Sequence, residues 1–196
     1  MRHAAWVLGY HGCDETTGES ILRGQDEIRV STNRFDWLGE GAYFWENSYS
    51  RALHWANFLK DTPGSSKSRI KRPFVIGAII DPGNCLDLTQ YESLEILKGA
   101  YAPCQESFRL AKMKMPKNEP GDPTDVDLVK RKLDCAVINY LHSMRAREKQ
   151  PSFDTVRAPF MEGGFLFEGS KLHSMTHLQW CVRNPKISIL GYFRPR

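Results

Sequence analysis

Apolar and polar positions along the chain fall into short blocks with two different periods. "AWVLGYH" (5–11) is a compact apolar run and predicts a buried first strand. A short helix is predicted in "GESILRG", closed by Gly24 as its C-cap. "EIRVS" (27–31) alternates as a strand does, "TNRFDWLGEG" reads as a loop, and "AYFW" (42–45) returns to strand. Asn47 is then suited to cap a helix over 48–60, with Ser48, Ala52, Trp55 and Leu59 forming its inward face. After an exposed basic loop, "DTPGSSKSRIKR", the β-branched run "PFVIGAII" is bounded by Pro73 and the turn "DPGN" and predicts a central strand.

The pattern then changes. Residues 89–113 read as helical in pieces, and "MPKNEPGDPT" reads as a loop. Val126, Val129, Leu133, Ala136, Val137, Tyr140, Leu141 and Met144 mark the buried stripe of a long helix whose basic residues face outward. Short strands follow in "TVRAPF", "GFLF", "THLQWCV" and "ISILGYF". Strands with early helices, a helical middle over 84–150 and a β-rich end predict an α+β fold rather than a regular βαβ alternation. A length of 196 residues suits one domain with a sizeable core.

Composition narrows the class. Hydrophobic residues make up 41% and charged residues 26%, which argues against disorder, and no apolar run is long enough to cross a bilayer. The apolar run after Met1 is too short for a signal peptide, so a cytoplasmic protein is expected. The five cysteines form no CxxC pair and read as buried thiols, and the six histidines show no ligand spacing, so no metal site is expected. A net charge of +4 is mild. Its clusters, "KSRIKR", "KMKMPK", "VKRK" and "RAREK", lie in loops or on an exposed helix face, where a polyanion such as nucleic acid has access.

Three segments carry candidate chemistry, and each has a plain structural alternative. "YHG" (10–12) ends a strand with an imidazole beside a residue lacking a side chain. This pattern suits either a structural histidine at a turn or a backbone site open to a planar amide. "GEGAYF" (39–44) is either a glycine bend into a core strand or the close approach of a strand to a ligand. "HLQWCVRN" (177–184) alternates, with His177, Gln179, Cys181 and Arg183 on one face and Leu178, Trp180 and Val182 on the other. A polar face on a late strand fits a pocket or solvent.

Taken together, His11-Gly12, Gly39-Glu40-Gly41-Ala42-Tyr43-Phe44 with Ala52 nine residues after the Tyr, and Gln179-Trp180-Cys181-Val182 resemble the ADP-ribosyltransferase superfamily, on its diphtheria-toxin and poly(ADP-ribose) polymerase side. "STNRFDWLGEGAYFWE", "LDCAVIN", "FDTVRAPF" and "HLQWCVRNP" look like a bacterial branch of that superfamily. The resemblance implies a split antiparallel sheet core with a helical insertion at 84–150. It also implies that NAD⁺ is cleaved to nicotinamide and that ADP-ribose passes to a macromolecular acceptor, nucleic acid slightly ahead of protein. The implied setting is the toxin of a toxin–antitoxin or phage-defence module, with an antitoxin protein as partner.

The resemblance also assigns roles. The Gly12 backbone would clamp the carboxamide, Gly41 would let the strand approach the cofactor, and Tyr43 would stack on the nicotinamide cation. His11 would meet a ribose hydroxyl, Asn33 and Arg51 ribose or phosphate, and Arg157 the pyrophosphate. Trp37 and Trp45 are assigned to packing. Arg51 stands where relatives place a Ser, and His54 replaces a second stacking Tyr. The largest departure is Gln179 in place of a catalytic Glu. A unit charge pair at about 4 Å is worth roughly 4 kcal/mol at an effective dielectric near 20, so its loss slows the ionising step by about a thousandfold. Either Gln179 suffices for single transfer, or a carboxylate from Asp36, Glu162 or Glu168 assists, with Glu162 in "FMEGG" the first choice. The alternatives are a binding protein that holds NAD⁺ or ADP-ribose without cleaving it, and an NAD⁺ glycohydrolase.

Overall fold

The computed structural model describes residues 6–62, 70–121 and 127–196. Seven strands form one sheet in the order β4-β5-β6-β2-β1-β3-β7. They are β1 (Val7–Asp14), β2 (Ala42–Glu46), β3 (Pro73–Ile80), β4 (Cys85–Asp87), β5 (Thr155–Phe160), β6 (His177–Val182) and β7 (Ile189–Phe193). Every neighbouring pair is antiparallel except β4 with β5. Five helices accompany the sheet: α1 (Glu15–Leu22), α2 (Tyr49–Asp61), α3 (Tyr91–Leu110), α4 (Lys132–Arg147) and the short α5 (Pro185–Ser188). The fold is α+β, as the order of apolar blocks predicts.

Strand alternation divides the core into two layers. On the first face, Cys13, Phe44, Ile76, Ile80, Trp180 and Val182 pack under α1 and Ile28. On the second face, Trp45 and Val75 pack under Ala52 of α2, while Val156, Ala158, Phe160 and Cys181 pack under α3 and α4. At the centre of the sheet, β1 and β2 pair only at Gly9–Glu46 and Tyr10–Trp45. Beyond that point the ladder opens, leaving His11 and Gly12 on one side and Tyr43 on the other.

Several local expectations give way to tertiary context. α1 starts at Glu15 because Asp14 caps it, its Oδ1 accepting from the Thr16 N–H at 3.1 Å. Residues 27–31 contribute only the bridge of Ser31 to Gly41. Ser48, not Asn47, occupies the cap of α2, and Asn47 takes a left-handed φ of 49° while its N–H bonds the Leu8 carbonyl. The buried stripe of α2 is Ala52 and Ala56, and Trp55 turns outward.

The middle of the chain departs further. It is not wholly helical, since it holds β4. α3 runs unbroken through Pro103, and Gly99, whose carbonyl that proline frees, is exposed to water. α4 begins only at Lys132, so Val129 precedes it, and Val126 lies outside the described residues. "GFLF" forms no strand but part of an exposed turn region with one bridge, Phe165 to His173. Most of the basic loop 61–72 also lies outside the described residues. All five cysteines are buried thiols, and no helix among the described residues is long and apolar enough to cross a membrane.

Candidate functional site

The glycines of "WLGEGAYFWE" act in packing. Gly39 has φ +81°, and a Cβ there would lie 2.6 Å from the Asn139 Oδ1 of α4. A Cβ on Gly41 would lie 2.3 Å from the Cys181 sulfur on β6. Tyr43 is tied into the same corner: its hydroxyl donates to the Gly39 carbonyl at 2.6 Å and accepts the Leu38 N–H at 2.8 Å. Burial raises its phenol well above the ordinary value.

Gly12 faces α2, where a Cβ would meet the Ala52 carbonyl oxygen at 2.2 Å. His11, one residue earlier, points to the opposite face, with its ring 5.7 Å from that of Phe44. Its Nδ1 donates to the Tyr43 carbonyl at 2.8 Å, across the opening between β1 and β2. Burial lowers the imidazole pKa against that hydrogen bond, so the ring is neutral and Nε2 is an acceptor.

Register places a polar group on the second face. Ala158, Gln179, Trp45 and Tyr10 stand opposite one another across β5, β6, β2 and β1, and residues paired this way share a face. Gln179 is 8% exposed, and its amide makes no hydrogen bond among the described residues. Next to this row, Arg51 bonds Glu162 Oε2 at 2.7 Å and lies 6.0 Å from the Trp45 ring centroid. His177 stacks on Trp37 and contacts Phe160, its Nδ1 donating to the Met175 carbonyl at 2.8 Å with Glu162 Oε2 at 3.5 Å. Trp45 Nε1, Arg51 Nε and His177 Nε2 are all buried and lack a hydrogen-bond partner among the described residues. Buried polar groups left without partners cost about 1–3 kcal/mol each, so the three in this place make it the candidate site. Burial holds the His177 pKa down to about 4, and it raises the Glu162 carboxyl against the pull of Arg51.

The remaining sequence candidates lie elsewhere. Arg157 belongs to the first face, opposite Trp180 in register. Its guanidinium makes a two-pronged contact with Glu46 at 2.6 and 3.0 Å and reaches Asp87 at 3.1 Å. Trp180 Nε1 donates to the same Glu46 at 2.7 Å. Asn33 and Asp36 form a local turn, the Asn33 N–H bonding Asp36 Oδ2 at 3.2 Å. Burial raises the Asp36 carboxyl, against hydrogen bonds from Ser31 and Asn33. His54 is exposed, with Nδ1 3.0 Å from an Arg51 nitrogen, and Glu168 sits in an exposed turn. The structure therefore gathers Gly12, Tyr43, Arg51, Glu162 and Gln179 on one face. It sets His11 at the split and Arg157 behind the sheet. Sequence reasoning set His177 on the polar face of this strand but gave it no role, and it assigned Trp45 to packing. For His177 the alternation of "HLQWCVR" was the available signal; for Trp45 there was none.

No family model matches the chain, and no solved structure matches it. The chain is similar to an uncharacterized protein, MJ0359 of Methanocaldococcus jannaschii, at 26% identity over 91% of this chain and 82% of that protein. That likeness runs almost the length of the chain and brings no activity with it.

Proposed function

We propose that this protein is a mono-ADP-ribosyltransferase that cleaves NAD⁺ and passes one ADP-ribose to a macromolecular acceptor. The observation that carries the reading is the opening of the sheet between β1 and β2. There His11-Gly12 and Tyr43, far apart in sequence, face each other across a gap bridged by one imidazole hydrogen bond, and Gln179 stands one strand further on.

The chemistry fits a dinucleotide. His11, with Nδ1 engaged by the Tyr43 carbonyl, keeps its ring on the first face beside Phe44, so it would reach a ribose hydroxyl only through the opening, from the side opposite Gln179. Gln179 has an amide oxygen free to accept the 2′-OH of the nicotinamide ribose. As the C1′–N bond breaks, its electron pair leaves with nicotinamide. The acceptor nucleophile forms the new bond to C1′ and releases its proton to solvent. Gln179 orients the ribose but supplies no negative charge, which suits a single transfer rather than polymer growth. A cytoplasmic toxin countered by an antitoxin is the setting the sequence resemblance suggests.

A second reading is favoured by one contact. Glu162, the carboxylate of this cluster, is already paired with Arg51, so the site lacks a free anion, and a protein that holds NAD⁺ without cleaving it is the result. Incubating the protein with labelled NAD⁺ and pools of RNA, DNA and protein separates the two. The transferase reading expects nicotinamide release, label in one pool, loss of both in Gln179→Ala, and a gain of up to about a thousandfold in Gln179→Glu. Saturable binding with intact NAD⁺ favours the second reading. Absence of binding by calorimetry rejects both.

A further inference from the structure

Trp45 Nε1, Arg51 Nε and His177 Nε2 are sealed by surrounding protein atoms as well as unpartnered among the described residues. Their side chains are neighbours. The Trp45 and His177 ring centroids are 6.3 Å apart, the Arg51 guanidinium carbon lies 6.0 Å from the Trp45 centroid, and Glu162 Oε2 is 2.7 Å from Arg51 and 3.5 Å from His177. A nitrogen enclosed in this way meets neither solvent nor a ligand. Anything that binds these groups does so only after an adjoining element moves.

The segment between β5 and β6, residues 161–176, is held to the rest of the chain at few points. Most of its hydrogen bonds are internal: Leu166 N–H to the Leu172 carbonyl at 3.1 Å, and Ser170 N–H to Phe167, Ser174 N–H to Gly164 and Met175 N–H to Glu162 at 3.0 Å. His173 bonds the Gly163 carbonyl and packs on Phe165, and Lys171 lies over the same ring. Away from its junctions with the two strands, two hydrogen bonds tie it to other elements among the described residues. Arg51 donates to Glu162 at 2.7 Å, and the Gly163 N–H donates to Asp127 Oδ2 at 2.8 Å. Met161, Phe165, Leu166, Phe167 and Leu172 are all exposed, so little apolar burial holds the segment down. Gly163, at φ +74°, follows Glu162 directly and lets the backbone turn there.

We propose that residues 161–176 form a lid on the polar cluster, latched by the Arg51–Glu162 ion pair, and that a ligand binds when the latch opens. Closed, the pair satisfies two charges and leaves three nitrogens unpaired. Open, those nitrogens become available to a ligand, so the closed state carries a cost that binding removes. Opening also frees the Glu162 carboxylate on the face that carries Gln179. A role for that carboxylate in the reaction rests on the transferase reading; the lid itself does not.

Modification of histidine by diethyl pyrocarbonate, read residue by residue by mass spectrometry, tests the lid in the full chain without NAD⁺. His54 is exposed, His177 lies under the lid, and His142 is buried beside Phe153 on α4. In the unaltered chain His54 reacts rapidly and His177 at least about tenfold more slowly, as one charge-assisted hydrogen bond holding the lid requires. Glu162→Gln leaves Arg51 without its counter-ion and speeds His177 by about tenfold or more, while His142 stays slow. Asp127→Ala cuts the other tie and speeds His177 by less. The lid is overturned if His177 reacts as fast as His54 in the unaltered chain, or if neither variant changes its rate. It is overturned equally if His142 accelerates with His177 in both variants, since the cluster then opens only with the whole chain. Calorimetry with NAD⁺ is read separately. On the dinucleotide reading Glu162→Gln binds NAD⁺ about tenfold more tightly, because closure no longer competes, and unchanged binding overturns the link between latch and ligand. A chain that shows the His177 response but never binds NAD⁺ keeps the lid and loses the dinucleotide.

Discussion

The two faces of the central sheet handle buried polar groups in opposite ways. On the first, Arg157, Glu46, Asp87 and Trp180 form a network in which the guanidinium meets two carboxylates and one of them also takes the indole N–H. On the second, Trp45, Arg51 and His177 each keep a buried nitrogen without a partner, and the Gln179 amide is unbonded among the described residues. Both groups are held by the same strands β2 and β6, one residue out of phase. A satisfied network joins β2, β4, β5 and β6 and is explained by the fold alone. An unsatisfied one lowers stability, and the fold gives it no return, which is why the second face is read as the functional one.

Arg157→Met is the severest test of that contrast. It removes the guanidinium from Glu46 and Asp87, leaving Glu46 with the Trp180 N–H and Asp87 with Thr89, and lowers unfolding free energy by about 3–5 kcal/mol, read as a fall in the urea midpoint. A loss under about 1 kcal/mol contradicts the structural role of the first face.

Gly12→Ala comes next. Its Cβ meets the Ala52 carbonyl at 2.2 Å, so α2 must shift, at about 1–3 kcal/mol. NAD⁺ affinity, measured by calorimetry, falls with it.

Acid sharpens the comparison further. The His177 pKa is about 4 and the His142 pKa about 3 when folded, burial being the main cause in each, against an ordinary 6.5. Below pH 6.5 the unfolded chain takes protons that these rings refuse, so stability declines as pH falls toward 4. The slope is about 1.4 kcal/mol per pH unit for each histidine kept neutral. Both nitrogens of His142 are buried and unbonded among the described residues, so His142→Phe makes the urea midpoint less sensitive between pH 7 and pH 5. An equal pH response in that variant removes the argument.

The smallest effect on stability belongs to Gln179→Ala. No hydrogen bond among the described residues is lost, so the unfolding free energy changes by less than about 1 kcal/mol, while on the transferase reading nicotinamide release disappears. A large destabilisation instead makes Gln179 a structural residue.

Much of this architecture was legible in the sequence. β1, β2, β3, β5 and β6 carry enough apolar residues, bounded by glycine and proline signals, to be read from period and punctuation. β4 was not legible, because three residues in a parallel pair have no period of their own. "EIRVS" and "GFLF" have strand composition, but apart from single bridges they find no neighbouring strand. The site was legible in the same partial way. Alternation in "HLQWCVR" put His177 and Gln179 on one face. Nothing local announced that Glu162 reaches Arg51, 111 positions away, or that Arg157 is occupied by Glu46, equally distant.

By itself the sequence determined the α+β order, the buried thiols, the strands that carry His11, Tyr43 and Gln179, and the polar face of β6. These follow from short-range periodicity and side-chain chemistry, which each segment carries within itself. Only the tertiary structure decided that Gly39 and Gly41 serve packing, that Arg157 lies behind the sheet, and that Trp45, Arg51 and His177 meet with unpaired nitrogens. Which face a residue shares, and whether its charge is already matched, depend on strand register and on partners a hundred residues away.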